Sequence, residues 1–435
     1  MNKEDKQSWS PVIANFGERT PDGLKERISR GGEVFLSPAH NALRQQVRSF
    51  AEEEIRPHIP EMETRQTVEH DLARKIVKEG WVGATISRDF GGMGMGHLAK
   101  TLIIEELARI DAAMGGVIQA ATLGAANVIH FGTDEQKKDW LPRFASGETI
   151  PTIAMTEPDS GGHILGIEST AVRKGNEYVL NGRKWLVGDS HIGDVHCVTV
   201  RTGAGTHGLT AFLVEKDRPG FRLGDPGNQS GLHGFSFGEI IFEDCVVPEA
   251  NRIGAEGQGM EIAYSSSLLY GRPNVTAVAL GINQAILEDT VNFCLERGLY
   301  GKPLTELPTI QSKVGDMFAN LQAARTMTYL ATYLLDRGQS ADSELMTAKL
   351  ITTEGAFNAA KQAVDIFAGR STLRDYRVER YLRDSFHTLS PAGTSDIQRL
   401  RLAEIAFGQE RGSWSEQLSA VVSSSSMEDI GNIHL

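Results

Sequence analysis

Residues 389–408, LSPAGTSDIQRLRLAEIAFG, have the types and order of a loop that presents a ligand to the start of a helix. Ser390 and Pro391 interrupt regular structure, Gly393 permits a tight turn, and Thr394 or Ser395 can cap a helix that starts there. Ile397, Leu400, Leu402, Ile405 and Ala406 then recur at helical spacing. The first turn of a helix carries N–H groups with no partner inside the helix, and these can hydrogen-bond a ligand. The residue at the tip is Ala392, which neither takes nor gives a proton. A second stretch, Thr156-Glu157-Pro158, combines a hydroxyl with turn chemistry. Cys197, Cys245 and Cys294 are far apart and form no CxxC pair, so neither a zinc site nor a disulfide framework is expected, and a reducing cytoplasm fits.

Three kinds of segment position these residues. Residues 1–36 are polar and broken by Gly and Pro, and form an N-terminal extension. Ser37-Pro38 opens a helix in which Leu43, Val47, Phe50, Ala51 and Ile55 line one side, and further helices run to about residue 150. From 151 to 255 the period changes to alternation. Gly175-Asn176 and Asn181-Gly182 read as turns, and four to seven short strands predict a small antiparallel barrel or sandwich. From 256 to 412 the helical period returns. Ile310, Val314, Met317, Leu321 and Ala324 trace one face, a helix over 341–369 stops near Gly369, and the whole predicts a four-helix bundle. The Ser-rich 413–435 reads as a flexible tail. The fold class expected is multidomain α+β.

The 435 residues are 40% hydrophobic and 23% charged, a globular composition. A net charge of −12 argues against nucleic acid or an anionic membrane as partner. No run of 18 apolar residues predicts a membrane span.

Five stretches, in order, resemble the acyl-CoA dehydrogenase family of flavoproteins. MTEPDSGG is similar to its Thr-Glu-Pro-x-x-Gly-Ser loop, LNGRKWLVGD to its Asn-Gly-x-Lys-x-Trp-Ile strand, and LERGLYGKPL to its Arg-x-x-Phe-Gly-Lys turn. AVDIFAGRSTLRDYRVERYLRDS resembles its Gln-Ile-x-Gly-Gly segment, and GTSDIQRLRLAEIAFG its last helix. The resemblance covers about residues 37–410. It implies FAD held by Met155, Thr156, Gly161, Gly162, Trp185, Val187, Gly188, Arg297, Thr394 and Asp396, with Asp365 and Gly369 reaching the cofactor of a neighbouring subunit. It therefore also implies a homodimer or homotetramer. Gly162 stands where the family has serine, and Asp365 where it has glutamine.

The family oxidises acyl thioesters, and a glutamate removes the α-proton. Most members carry it just before Gly-Thr, which is Ala392 here. A subset carries it on the helix after the β-domain, which is Gly271 here. Arg272 and Pro391 match positions near substrate. Three functions remain open. The first is dehydrogenation of a thioester on coenzyme A or a carrier protein, with electron-transfer flavoprotein or O₂ as acceptor. Its base would come from elsewhere, and Tyr270, His387 and Asp365 are candidates by sequence proximity. The second is flavin monooxygenation, and the third is thioester or partner binding without turnover.

Overall fold

The computed structural model describes Ile28, residues 31–409 and Ser415. Ser37 caps α1 (Pro38–Phe50), its hydroxyl accepting from the His40 N–H at 3.2 Å with Pro38 in the first turn. Leu43 and Val47 are buried on α1, and Ala51 and Ile55 continue the stripe through a π-helical turn. The other helices of this region are α2 (Ile59–Arg65), α3 (His70–Lys78), α4 (Gly96–Ile110), α5 (Ala112–Phe131) and α6 (Asp134–Ala145). Every residue of α4 from Leu98 to Ile110 is buried. Helix α5 is long and apolar enough to cross a bilayer, but its surface is spent inside the protein.

The middle region is one sheet of eight strands: β1 (Pro151–Ala154), β2 (Thr170–Lys174), β3 (Glu177–Gly188), β4 (Val195–Arg201), β5 (Leu209–Glu215), β6 (Phe221–Leu223), β7 (Phe237–Pro248) and β8 (Arg252–Ile253). Its order is β6-β7-β3-β2-β4-β5-β8, with β1 on β4. The expected antiparallel pairing holds for most neighbours, but β1 and β4 are parallel, as is the single bridge from β2 to β4. Gly175-Asn176 turns β2 into β3. Asn181-Gly182 does not turn the chain. It lies within β3, where the register slips beside Gly182. The cause is a close approach, because a β-carbon on Gly182 would stand 2.2 Å from the Ser169 hydroxyl.

The chain then returns to helices: α7 (Gly259–Ser266), a π turn at Ser267–Gly271, α8 (Arg272–Glu296), α9 (Pro308–Asp336), α10 (Asp342–Phe367), α11 (Val378–His387) and α12 (Ser395–Ala406). A small hairpin, β9 (Gly298–Leu299) with β10 (Lys302–Pro303), joins α8 to α9. Helix α10 stops at Phe367, and Ala368, not Gly369, takes the positive φ of 51°. On α12 the fully buried residue is Gln398; among the described residues Ile397 and Leu400 are exposed and Leu402 and Ile405 half-buried, so the apolar stripe read from the sequence is covered only in part by them.

The two helical regions share a core. Helix α4 packs along α8, and a β-carbon on Gly281 would reach to 2.4 Å from the Glu105 carbonyl. Charged residues of α4 pair with both neighbouring helices: Arg109 with Glu288 of α8 at 2.8 Å, and Glu105 with Arg325 of α9 at 3.1 Å. Of the expected N-terminal extension, Ile28 is buried and its carbonyl accepts from Arg325 at 3.0 Å. Of the expected tail, Ser415 is buried, and its hydroxyl accepts from the Ala341 N–H at 2.9 Å. Residues 1–27, 29–30, 410–414 and 416–435 lie outside the described residues, and so does most of both expectations.

Candidate active site

Thr394 caps α12, its hydroxyl accepting from the Ile397 N–H. Ahead of it Ala392 and Gly393 have φ of 55° and 90°, so the chain turns left-handed twice. Two fully buried side chains hold that turn. Gln398 donates through Nε2 to the carbonyls of Ala392 at 3.1 Å and Gly393 at 2.9 Å. Lys349, on α10, donates through Nζ to the Leu389 carbonyl at 2.6 Å, and burial lowers its pKa to about 8. Sequence reasoning misses both. A glutamine inside a helical stretch and a lysine inside another read as solvated polar positions until the fold turns them inward.

The π turn at Ser267–Gly271 presents Gly271 to this loop, and a β-carbon on Gly271 would lie 3.2 Å from Ala392 Cβ. Two positions 121 residues apart thus meet at one point, and neither carries a proton acceptor. Arg272 is the next residue and is 4% exposed. Burial is the largest influence on its guanidinium and lowers its pKa, partly offset by a hydrogen bond with the Tyr264 hydroxyl. Its Nε and Nη1 are enclosed and have no hydrogen-bond partner among the described residues. Pro391 is half-buried on the loop.

The three candidate bases have other partners. Tyr270 is buried, with its hydroxyl 3.3 Å from His130 Nε2 and its ring packed on His97 and under Lys100 Nζ. Burial pushes its phenol above the ordinary value, so it stays protonated and packs rather than accepting a proton. His387 meets the Ser230 hydroxyl at 3.1 Å, on the β-domain side of α11. Asp365 is exposed on α10 and paired with Lys313.

A second constellation lies at the rim of the sheet. Trp185 donates its N–H to the Thr156 carbonyl at 2.8 Å, and Lys184 Nζ reaches the Met155 carbonyl at 3.0 Å and Glu157 Oε1 at 2.6 Å. Burial opposes ionisation of Glu157. Lys184 and the N–H groups of Glu168 and Ser169 outweigh it and hold the carboxyl below its usual value. Burial lowers Lys184 to about 8. This fully buried lysine fixes the shape of the Met155–Thr156 loop. Trp185 is exposed, whereas Val187 points into the β-core and offers only its backbone outward. Gly188 packs against Phe235, and β-carbons on Gly161 or Gly162 would meet nothing within 4 Å. Arg297, at the end of α8, makes no side-chain hydrogen bond or ion pair among the described residues. Gly369 and Thr394 are exposed, and Asp396 leans on Arg399 at 3.2 Å.

Family models for the acyl-CoA dehydrogenase N-terminal, middle and C-terminal domains match residues 37–148, 152–245 and 257–407. This chain belongs to the acyl-CoA dehydrogenase family. It is 37% identical to an acyl-CoA dehydrogenase of Bacillus subtilis (strain 168), over 84% of this chain and 97% of that one. Butyryl-CoA dehydrogenase from Megasphaera elsdenii superposes with a TM-score of 0.83 at 30% identity, covering 86% of this chain and 99% of its own. An FAD complex of PigA superposes with a TM-score of 0.81 at 27% identity, covering 86% and 98%.

The chain's groups suit the dinucleotide of this family. The unpaired Arg297 guanidinium suits a pyrophosphate, the open Gly161–Gly162 turn leaves room for a ligand, and the Thr156–Trp185 rim gives a flat surface with polar backbone. Lys313 offsets the carboxylate that Asp365 introduces where the family has an amide.

Proposed function

We propose that this acyl-CoA dehydrogenase family member is an FAD-dependent oxidoreductase acting on an acyl thioester, carried by coenzyme A or a carrier protein, with no resident base at either family position. The observation that carries the reading is the approach of Gly271 to Ala392, close enough that a β-carbon on Gly271 would lie 3.2 Å from Ala392 Cβ. Both base positions converge as a dehydrogenase site needs, and both stop at or before Cβ. Met155, Thr156, Gly161, Gly162, Trp185 and the backbone of Val187–Gly188 hold the ring edge. Arg297 meets the pyrophosphate, Thr394 and Asp396 meet the dinucleotide from the last loop, and Asp365 and Gly369 serve a second copy. Bound FAD supplies the hydride acceptor. The assembly is a homodimer or homotetramer, its acceptor is electron-transfer flavoprotein or O₂, and its three buried thiols suit a reducing cytoplasm.

The purified protein should be yellow, and a colourless protein that takes up no FAD removes the reading. Ala392→Glu puts a carboxylate at the convergence point. It should speed anaerobic bleaching of the flavin by acyl thioesters about 10²–10⁴-fold, the usual contribution of a positioned base. No gain with any acyl chain length would detach this loop from the chemistry.

A further inference from the structure

The family models match this chain from residue 37, yet residues just before that point are tied into the core. They meet one stripe of α9, formed by Gln322, Arg325, Tyr329 and Tyr333 at helical spacing. The Ile28 carbonyl accepts from Arg325 Nη1 at 3.0 Å, and the Ile28 side chain is buried. A β-carbon on Gly31 would lie 2.2 Å from Gln322 Oε1, and one on Gly32 would lie 2.6 Å from a ring carbon of Tyr329. Both glycines have positive φ, 114° and 69°, so glycine suits the backbone as well as the close approach. The Phe35 ring lies 5.4 Å from that of Tyr333.

What this segment covers is a buried charge network. Arg325 also bonds to Glu105 of α4 at 3.1 Å and to Gln284 of α8 at 2.6 Å, and the Tyr329 hydroxyl donates to Glu105 at 2.6 Å. Gln284 leads on to Glu288 at 2.7 Å, and Glu288 to Arg109 at 2.8 Å. The segment thus closes one end of a network that joins α4, α8 and α9. Its own hold is shallow. Gly31, Gly32, Phe35 and Leu36 are half-buried, and Glu33 and Val34 are exposed. A segment with few buried contacts opens at lower cost than the rest of the fold. Its departure takes a hydrogen bond from a buried guanidinium and exposes that group to water.

We propose that Ile28 and residues 31–36 form a releasable clasp. Docked along α9, they lock the shared core of the two helical regions. Drawn off, they loosen α8, which runs from the Gly271 approach to Arg297. The clasp itself rests only on these contacts, whereas its effect on cofactor retention rests on the function proposed above.

The test uses the full-length, FAD-loaded protein. Gly32→Val puts a branched side chain against Tyr329 and disfavours the docked backbone, while Val34→Ser changes an exposed side chain and serves as control. Gly32→Val should melt several degrees below the parent, and trypsin should cut it after Arg27 or Arg30 about tenfold faster. The control should match the parent in both. A synthetic peptide of residues 24–37 should restore the melting temperature of a chain lacking residues 2–36, saturably, and the same peptide carrying Gly32→Val should not. Flavin release should be several-fold faster from Gly32→Val. A Gly32→Val protein that melts and resists trypsin as the parent does overturns the proposal, as does a folded truncated chain that the peptide fails to stabilise. A lower melting temperature and faster cleavage with unchanged flavin release keep the clasp and remove its link to α8. A protein that never binds FAD removes the proposed function and leaves the melting, cleavage and peptide results to decide the clasp.

Discussion

Asp189 lies just after β3 with φ of 56°, is fully buried, and has neither carboxylate oxygen hydrogen-bonded among the described residues. Burial pushes its carboxyl well above the ordinary range, and Arg74 pulls it back only in part. The unfolded chain ionises this group above about pH 3.9, while the folded chain keeps it neutral. Its contribution to stability is therefore complete below that pH and is lost as the pH rises toward the folded-state value. Asp189→Asn keeps the shape and tolerates the left-handed backbone. It should be more stable than the parent at pH 7 by about 1–3 kcal/mol, with the gap closing near pH 4. Urea unfolding at the two pH values measures this, and an equal gap at both would show a carboxylate that does not change its charge on folding. At this scale the sequence was half legible. Once the family resemblance marks positions 392 and 271 as base positions, the alanine and glycine there can be read as empty from residue type. The burial of Arg272 and the inward turn of Lys349 and Gln398 cannot, because partners come from other elements.

Helix α10 ends on a residue that suits its conformation poorly. Ala368 has φ 51° and ψ −133°, a region open to glycine and strained for a residue with a β-carbon. Ala368→Gly should raise stability by about 1 kcal/mol, read as a higher urea midpoint at unchanged slope. A lower midpoint would mean that neighbours already relieve the strain. The same helix shows what a sequence tells about elements. Its apolar spacing gave the helix and nearly its end, since periodicity is a local property. The Asn181-Gly182 pair misled for the opposite reason. Its turn preference is local, but the approach of Ser169 to Gly182 decides the geometry. Parallel pairing of β1 with β4 joins residues 44 positions apart, Pro151 with Val195, and no short pattern announces it.

The helical bundle exposes large apolar side chains among the described residues. Leu400 is 61% exposed and Phe407 74%, with Ile397 and Phe318 also uncovered. Such residues mark a contact surface when they share a face. If the proposed oligomer buries them between copies, Leu400→Glu should elute as a smaller species in size-exclusion chromatography and release FAD more readily. An unchanged elution volume would place the interface elsewhere. The order helices, strands, helices was readable across the whole chain, but the shared core of its two helical regions was not, because it joins segments far apart in sequence. That core has a consequence for synthesis. Helix α4 has almost no surface of its own; Arg109 finds Glu52 early, but its second carboxylate, Glu288, and the Arg325 partner of Glu105 come much later in the chain. At ribosomal speeds of roughly 5–20 residues per second, α4 must wait on the order of ten seconds or more for them. Until then it trails behind the ribosome as a greasy, charge-bearing strip, a natural client for a holding chaperone.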